Sequence, residues 1–175
     1  MNTCTITPAV PSDAPAIAQV HVATWQAAYR GQLPDAFLDA LDVHQRETMW
    51  RRLLADPSRT TLVMRSDAGV TGFCDVGPSR DADSLVHTAE LYSIYLLPSW
   101  WGGGHGTRLL QAALACLQEQ GHADVICWVL HTNQRALDFY AHHQFQSDGA
   151  EKTDMAGGLS FRELRLRRSL SSKNE

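Results

Sequence analysis

A mixed α/β sheet with helices on both faces is the fold class this sequence predicts. Strand-type runs precede helical runs twice, at Glu90–Gln120 and at Asp124–His143, the pattern of strands followed by packed helices. The turn Ser66-Asp67-Ala68-Gly69 joins two further strand-type runs and implies antiparallel pairing as well. The chain has 175 residues, 44% of them hydrophobic, which suits a single domain over 1–175 with one sizeable core.

Each element follows from local pattern. Thr3 to Thr7 is a short β-type run stopped at Pro8. Ser12 or Asp13 can cap the next helix, and Pro15 is tolerated in its first turn. Ile17, Val20, His21, Thr24, Trp25, Ala28 and Tyr29 form its stripe, and Gly31 ends it. A second helix is expected from Pro34 to Leu54, with Asp42-Val43-His44 as a point of division. Thr61–Met64 and Val70–Val76 are the hairpin strands, and Gly77 to Ser84 is loop by composition. Glu90–Leu97 is the next strand, and Gly104–Gln120 is a helix with Leu109, Leu110, Ala113, Leu114 and Leu117 on one face. Asp124–Leu130 is nearly all apolar, as a strand covered on both faces should be. Asn133 can cap a helix from Gln134 to His143. Two last strands start at Phe145 and at Leu159, joined through Gly157-Gly158.

Composition excludes several classes. Net charge is −4 with His neutral, so no general basic field attracts nucleic acid. The basic run Arg162–Arg168 alternates with Leu164 and Leu166 and suits the solvated face of a strand. Cys4, Cys74, Cys116 and Cys127 form no C-x-x-C pair, which argues against zinc or a redox dithiol. The last three sit in apolar settings, as core thiols do. No run approaches a membrane span, and no signal peptide pattern opens the chain, so the cytoplasm is the expected compartment.

Leu91 to Leu110 is the most informative stretch: strand, proline stop, glycine loop, helix. Gly102-Gly103-Gly104-His105-Gly106-Thr107 brings main-chain N–H groups to a helix N-terminus, where phosphate binds. It is not a P-loop, because no Lys precedes Thr107. A dinucleotide fingerprint fits only loosely, since Leu109 stands at the final small position.

The segment resembles the acetyl-CoA motif of the GNAT superfamily, Arg/Gln-x-x-Gly-x-Gly/Ala. Gly104 and Gly106 match its two small positions, and Trp101 replaces the Arg or Gln. Ile94-Tyr95-Leu96-Leu97-Pro98 resembles the bulged strand before that loop. Asn133, seven residues before Tyr140, resembles the helix that follows, and Gln144-Phe145 stands in place of the usual Gly-Phe. The resemblance implies a GNAT fold: a mostly antiparallel sheet of about six to seven strands, splayed at its centre and flanked by about four helices. It implies acetyl-CoA as co-substrate, no metal, and a homodimer as a common state.

The resemblance also implies roles. Main-chain groups of Ile94, Tyr95 and Leu96 would pair with the pantetheine arm, and amides of Gly102, Gly103, Gly104, His105, Gly106 and Thr107 would hold the pyrophosphate. Asn133 would cap its helix, contact the cofactor, or both. Tyr140 would protonate the departing thiolate; a phenol with pKa near ~10 keeps its proton at neutral pH. Otherwise it is a core aromatic beside Phe139. Glu90 is the expected base, with Tyr92 and Ile94 on its face by the period of two; otherwise it is an ordinary strand-start carboxylate or a salt-bridge partner, and His131 or a water chain is the base. Trp25, Tyr29 and Tyr92 are expected at the acceptor, where aromatic faces suit an amine; otherwise Trp25 and Tyr29 are core aromatics of the first helix. Arg108 is expected to reach a phosphate or to lie solvated, and His142-His143 to place charge at a helix C-terminus.

The activity so implied is transfer of acetyl from acetyl-CoA to a primary amine of a small or amino-acid-like molecule, by direct attack. Alternatives are a protein N-terminus or lysine as acceptor, or a non-catalytic acyl-CoA sensor.

Overall fold

The computed structural model describes residues 4–156 and 158–170. Thr3 and Gly157, expected at a strand start and a hairpin turn, lie outside them. The chain runs β1 (Thr5–Pro8), α1 (Ala14–Ala28), α2 (Asp35–Asp39), α3 (Val43–Leu53), β2 (Thr60–Ser66), β3 (Gly69–Pro78) and β4 (Thr88–Leu96). It continues with α4 (His105–Glu119), β5 (Asp124–Leu130), α5 (Gln134–His142), β6 (Gln146–Ala156) and β7 (Leu159–Ser169). The expected division of the second helix is real. Asp42 caps α3 by accepting from the Gln45 N–H at 3.0 Å. Asp13, by contrast, does not cap α1; its carboxylate accepts from Val10 N–H and from Arg65.

The seven strands form one sheet in the order β1-β2-β3-β4-β5-β7-β6. Every pair is antiparallel except β4–β5, which is parallel over only Thr88↔Asp124, Ala89↔Val125 and Glu90↔Ile126. Past Glu90 the two central strands part. The expected splay is this divergence, and it opens a slot through the middle of the sheet.

Two apolar layers cover the sheet. On one face Leu109, Leu110, Ala113 and Leu117 of α4 pack with Cys74, Val76, Leu91 and Cys127. On the other, Ile17 and Val20 of α1 and Trp50 of α3 pack with Val63 and Phe73. Together they place α4 and α5 on one side of the slot and α1 on the other.

A bulge in β4 corrects the expected strand faces. Val76 pairs with Leu91 and Asp75 with Ser93, so Tyr92 is the extra residue. An inserted residue shifts the alternation by one. Glu90 therefore faces away from the α4 layer while Ile94 packs against it, and the two do not share a face.

The C-terminal basic run is also corrected. Arg165 is 7% exposed and donates to Asp81, Asp83 and Asp148, while Arg167 reaches Asp124 and Asp148. The acidic loop between β3 and β4 folds over this face and neutralises it, so it is an ion-pair lattice. Cys116 is only half-buried, whereas Cys4, Cys74 and Cys127 are buried; none is disulfide-bonded. Among the described residues no helix is long and apolar enough to cross a membrane.

Candidate active site

The slot between β4 and β5 is part of a cavity of about 940 Å³ that passes from the glycine loop to the α1 side of the sheet. The divergence of β4 and β5 dictates its chemistry. Leu97 N–H donates to Thr71 O at 2.9 Å, and Leu96 faces Gly72, so Leu96 and Ile94 occupy non-hydrogen-bonded positions of the β3–β4 ladder. Their main-chain groups consequently point into the slot. The Leu96 carbonyl is already taken by Thr24 Oγ1 at 2.9 Å and Trp101 Nε1 at 2.8 Å. Ile94 and the Leu96 N–H remain for a ligand. Tyr95 does not join them: its main chain faces β3, and its ring lies on the α1 side beside Trp25 and Phe73.

The glycine loop has the form expected of it. Gly102 and Gly104 adopt φ of +78° and +76°, which other residues take only with strain. Gly104 is the N-cap of α4, and the first helical bond runs from Arg108 N to Gly104 O. The N–H groups of His105, Gly106 and Thr107 thus have no helical partner. A Cβ on Gly106 would sit 3.4 Å from Phe139 and 3.5 Å from Leu96, so the small residue lets α4 start close to the slot. Gly102, Gly104, Gly106 and Thr107 line the cavity. The His105 ring turns away, packing on Trp100 with Nδ1 3.5 Å from Cys4 Sγ. Arg108 is exposed on the surface of α4 and turns from the loop, donating to Cys4 Sγ and O. These observations fit a diphosphate-bearing cofactor: unpaired amides at a helix start, open strand groups beyond them, and a channel joining the two.

Asn133 performs the capping role, its Oδ1 accepting from Ala136 N–H at 3.1 Å, and it also lines the cavity. Tyr140 is 7% exposed, stacks between Phe139 and Phe145, and reaches the slot. Burial raises its pKa well above the phenol value, so it holds its proton. Cys127 lies beside it; burial, then the Glu90 charge, push that thiol up as well, which leaves it without thiolate character. His143 was expected to carry charge, but burial lowers its pKa, and its Nε2 lies 3.1 Å from Thr107 Oγ1.

On the α1 side, Trp25, Tyr29 and Tyr92 all line the cavity, as expected of the acceptor residues. Trp25 and Tyr29 stack edge to face with centroids 5.0 Å apart. Tyr92 lies between two guanidinium groups, Arg59 at 3.9 Å and Arg80 at 4.6 Å from its ring, and its hydroxyl donates to Pro78 O. Glu90 reaches the cavity but not as a free base: Arg80 donates to both its oxygens, and the Arg80 N–H adds a third bond. His131 is exposed, does not line the cavity and has Nδ1 3.1 Å from Arg162 O.

Sequence reasoning missed Glu163. It stands on β7 opposite Leu130, lines the cavity, and has 18% of its side chain exposed. Among the described residues it pairs only with Lys152, Nζ to Oε2 at 3.3 Å, which leaves Oε1 open. Burial raises its pKa above the ordinary glutamate value, and Lys152 opposes the rise. The alternation of β7 was legible; its register against the end of β5 was not. Among the described residues no three His, Cys, Asp or Glu side chains converge as a metal site.

Comparison with known proteins agrees with this geometry. Residues 22–145 match the family model described as the acetyltransferase (GNAT) family. The chain is 27% identical over 164 residues to the uncharacterized N-acetyltransferase YuaI of Bacillus subtilis, covering 90% of this chain and 92% of that one. It is 29% identical over 153 residues to an aminoglycoside N(6')-acetyltransferase type 1 of Stenotrophomonas maltophilia, covering 86% and 88%. The fold superposes on PaiA N-acetyltransferase of Thermoplasma acidophilum, solved with coenzyme A, with a TM-score of 0.75 at 17% identity over 95% of this chain and 99% of that one. The family's bulged β4, glycine loop and Asn133–Tyr140 helix are all in place here, and the chain belongs to the GNAT family of acyl-CoA-dependent N-acetyltransferases.

Proposed function

We propose that this protein moves an acetyl group from acetyl-CoA to a primary amine of a small molecule by direct attack. The observation that carries the reading is the continuous cavity through the splayed sheet, with the glycine loop and Tyr140 at one side and an aromatic, carboxylate-bearing wall at the other. Acetyl-CoA bound there supplies an activated thioester carbonyl. The loop amides from Gly102 to Thr107 and Asn133 hold the cofactor; Ile94 and Leu96 N–H align its arm. The N–H groups on the open edge of β4 are donors for a developing oxyanion. Trp25, Tyr29 and Tyr92 wall the acceptor. Glu163 accepts a proton from the incoming ammonium, a task its raised pKa suits. Tyr140 gives its proton to the departing sulfur.

An amine acceptor of modest size fits a walled chamber better than a flat protein surface would. The relative from Stenotrophomonas maltophilia is named for an aminoglycoside acceptor, which agrees with this reading. Thiol release from acetyl-CoA across a panel of small amines, aminoglycosides, amino acids and lysine or N-terminal peptides tests this reading. Turnover with small amines supports it. Turnover confined to peptides would transfer the assignment to a protein acetyltransferase, and tight acetyl-CoA binding with no turnover would make the protein a sensor.

A further inference from the structure

The family motif places an Arg or Gln where this chain has Trp101, a loss of one polar group at the phosphate loop. The structure shows what Trp101 does instead. Its Nε1 is fixed to the Leu96 carbonyl at 2.8 Å, which anchors the ring at the loop. The Arg135 guanidinium, from the first turn of α5, lies over that ring at 3.7 Å from its centroid. Trp101 and Arg135 line the cavity together with Gly102, Gly104 and Gly106.

The other basic side chains near the loop are engaged. Arg108 is bonded to Cys4, His105 lies against the same thiol, and His143 is tied to Thr107. Among the described residues Arg135 has neither an ion-pair partner nor a hydrogen bond. A guanidinium held by its face on an indole keeps its N–H edge free for a planar, two-pronged anion contact. Charge-assisted bonds of that kind are the strong ones.

We propose that Arg135, positioned by Trp101, binds the cofactor pyrophosphate and replaces the cation or amide that the motif lost. The site then has a side-chain anion clamp added to its main-chain amides, and the clamp comes from α5, not from the loop. This rests on the acetyl-CoA reading.

Calorimetric binding of coenzyme A and of 3'-dephospho-coenzyme A to the full chain tests it, with folding checked by circular dichroism. Arg135→Gln is expected to weaken both ligands alike by about tenfold and to flatten the salt dependence of binding. Trp101→Ala should weaken binding to a similar degree, and the double variant should be little worse than either alone, as coupled residues are. Trp101→Phe keeps a ring under Arg135 and should stay within about threefold of the parent, which covers the case where Trp101→Ala does not fold. Binding by Arg135→Gln within twofold of the parent would overturn the proposal. A loss confined to coenzyme A would overturn it too, because the partner would then be the 3'-phosphate. If the parent protein binds neither ligand, the acetyl-CoA reading itself fails.

Discussion

Arg80 closes on Glu90 from three directions: Nη2 to Oε1 at 2.5 Å, Nε to Oε2 at 3.1 Å, and the main-chain N–H to Oε2 at 3.0 Å. Glu90 is 2% exposed, whereas most of the Arg80 side chain meets solvent. The pair therefore joins the β3–β4 loop to the narrow end of the slot. Replacing Arg80 by Met leaves a buried carboxylate with one main-chain donor, and water reaches only the outer side. Urea unfolding should show a loss of about 1–3 kcal/mol. Full stability in that variant would mean that the pair holds nothing in place.

Glu163 and Glu90 separate kinetically. Glu163→Gln should lower kcat by about a hundredfold or more and remove the acid limb of the pH–rate profile, with KM for acetyl-CoA unchanged. That limb should lie above the ordinary glutamate range, because burial raises the Glu163 pKa. Glu90→Gln should keep the limb. If the limb vanishes with Glu90 and persists without Glu163, the two roles are reversed.

Tyr140→Phe removes a proton donor from a packed ring without opening a cavity. The expected result is a fall in kcat of about 10- to 100-fold with binding of acetyl-CoA retained. Equal turnover in the variant would return Tyr140 to a packing role between Phe139 and Phe145.

Gln144 adopts φ of +64°, a left-handed conformation that costs a side-chain-bearing residue about 1–2 kcal/mol. This is the position where the family usually has Gly, and the turn after α5 explains why. Gln144→Gly should raise stability by up to about 1 kcal/mol, after the greater freedom of Gly in the unfolded chain is subtracted. A lower melting temperature would contradict this.

His21 is buried between Trp25, Trp50 and Tyr95, and its Nδ1 accepts from Trp50 Nε1 at 3.1 Å. Burial first, and then the Arg46 charge, lower its pKa to about 3. The unfolded chain takes up a proton here below pH 6.5, and the folded chain does not until about 3. Stability is thus complete above pH 6.5 and falls through this window by about 1.4 kcal/mol per pH unit from this one group. Urea titrations of the parent and of His21→Gln should diverge in slope across that range; parallel curves would remove His21 as the cause.

Much of the site was legible because its signals are local. Gly102 and Gly104 mark positive φ, Asn133 marks a cap, and Tyr140 follows at helical spacing. The fold was legible from element order and from the resemblance. What escaped is tertiary. The β4 bulge depends on how β3 pairs, so a strict period of two put Glu90 and Ile94 on one face. Arg165 looks solvated until the Asp81–Asp83 loop folds across it. Trp101 and Arg135 meet only because α5 lies beside the loop.

Direct attack is the central mechanistic claim, and the mass of the protein after mixing with acetyl-CoA tests it most directly. With burial keeping Cys127 protonated, the protein should keep its mass without an acceptor. Initial rates should show both substrates binding before any product leaves. An acetylated protein that forms without amine, together with ping-pong kinetics, would contradict the account.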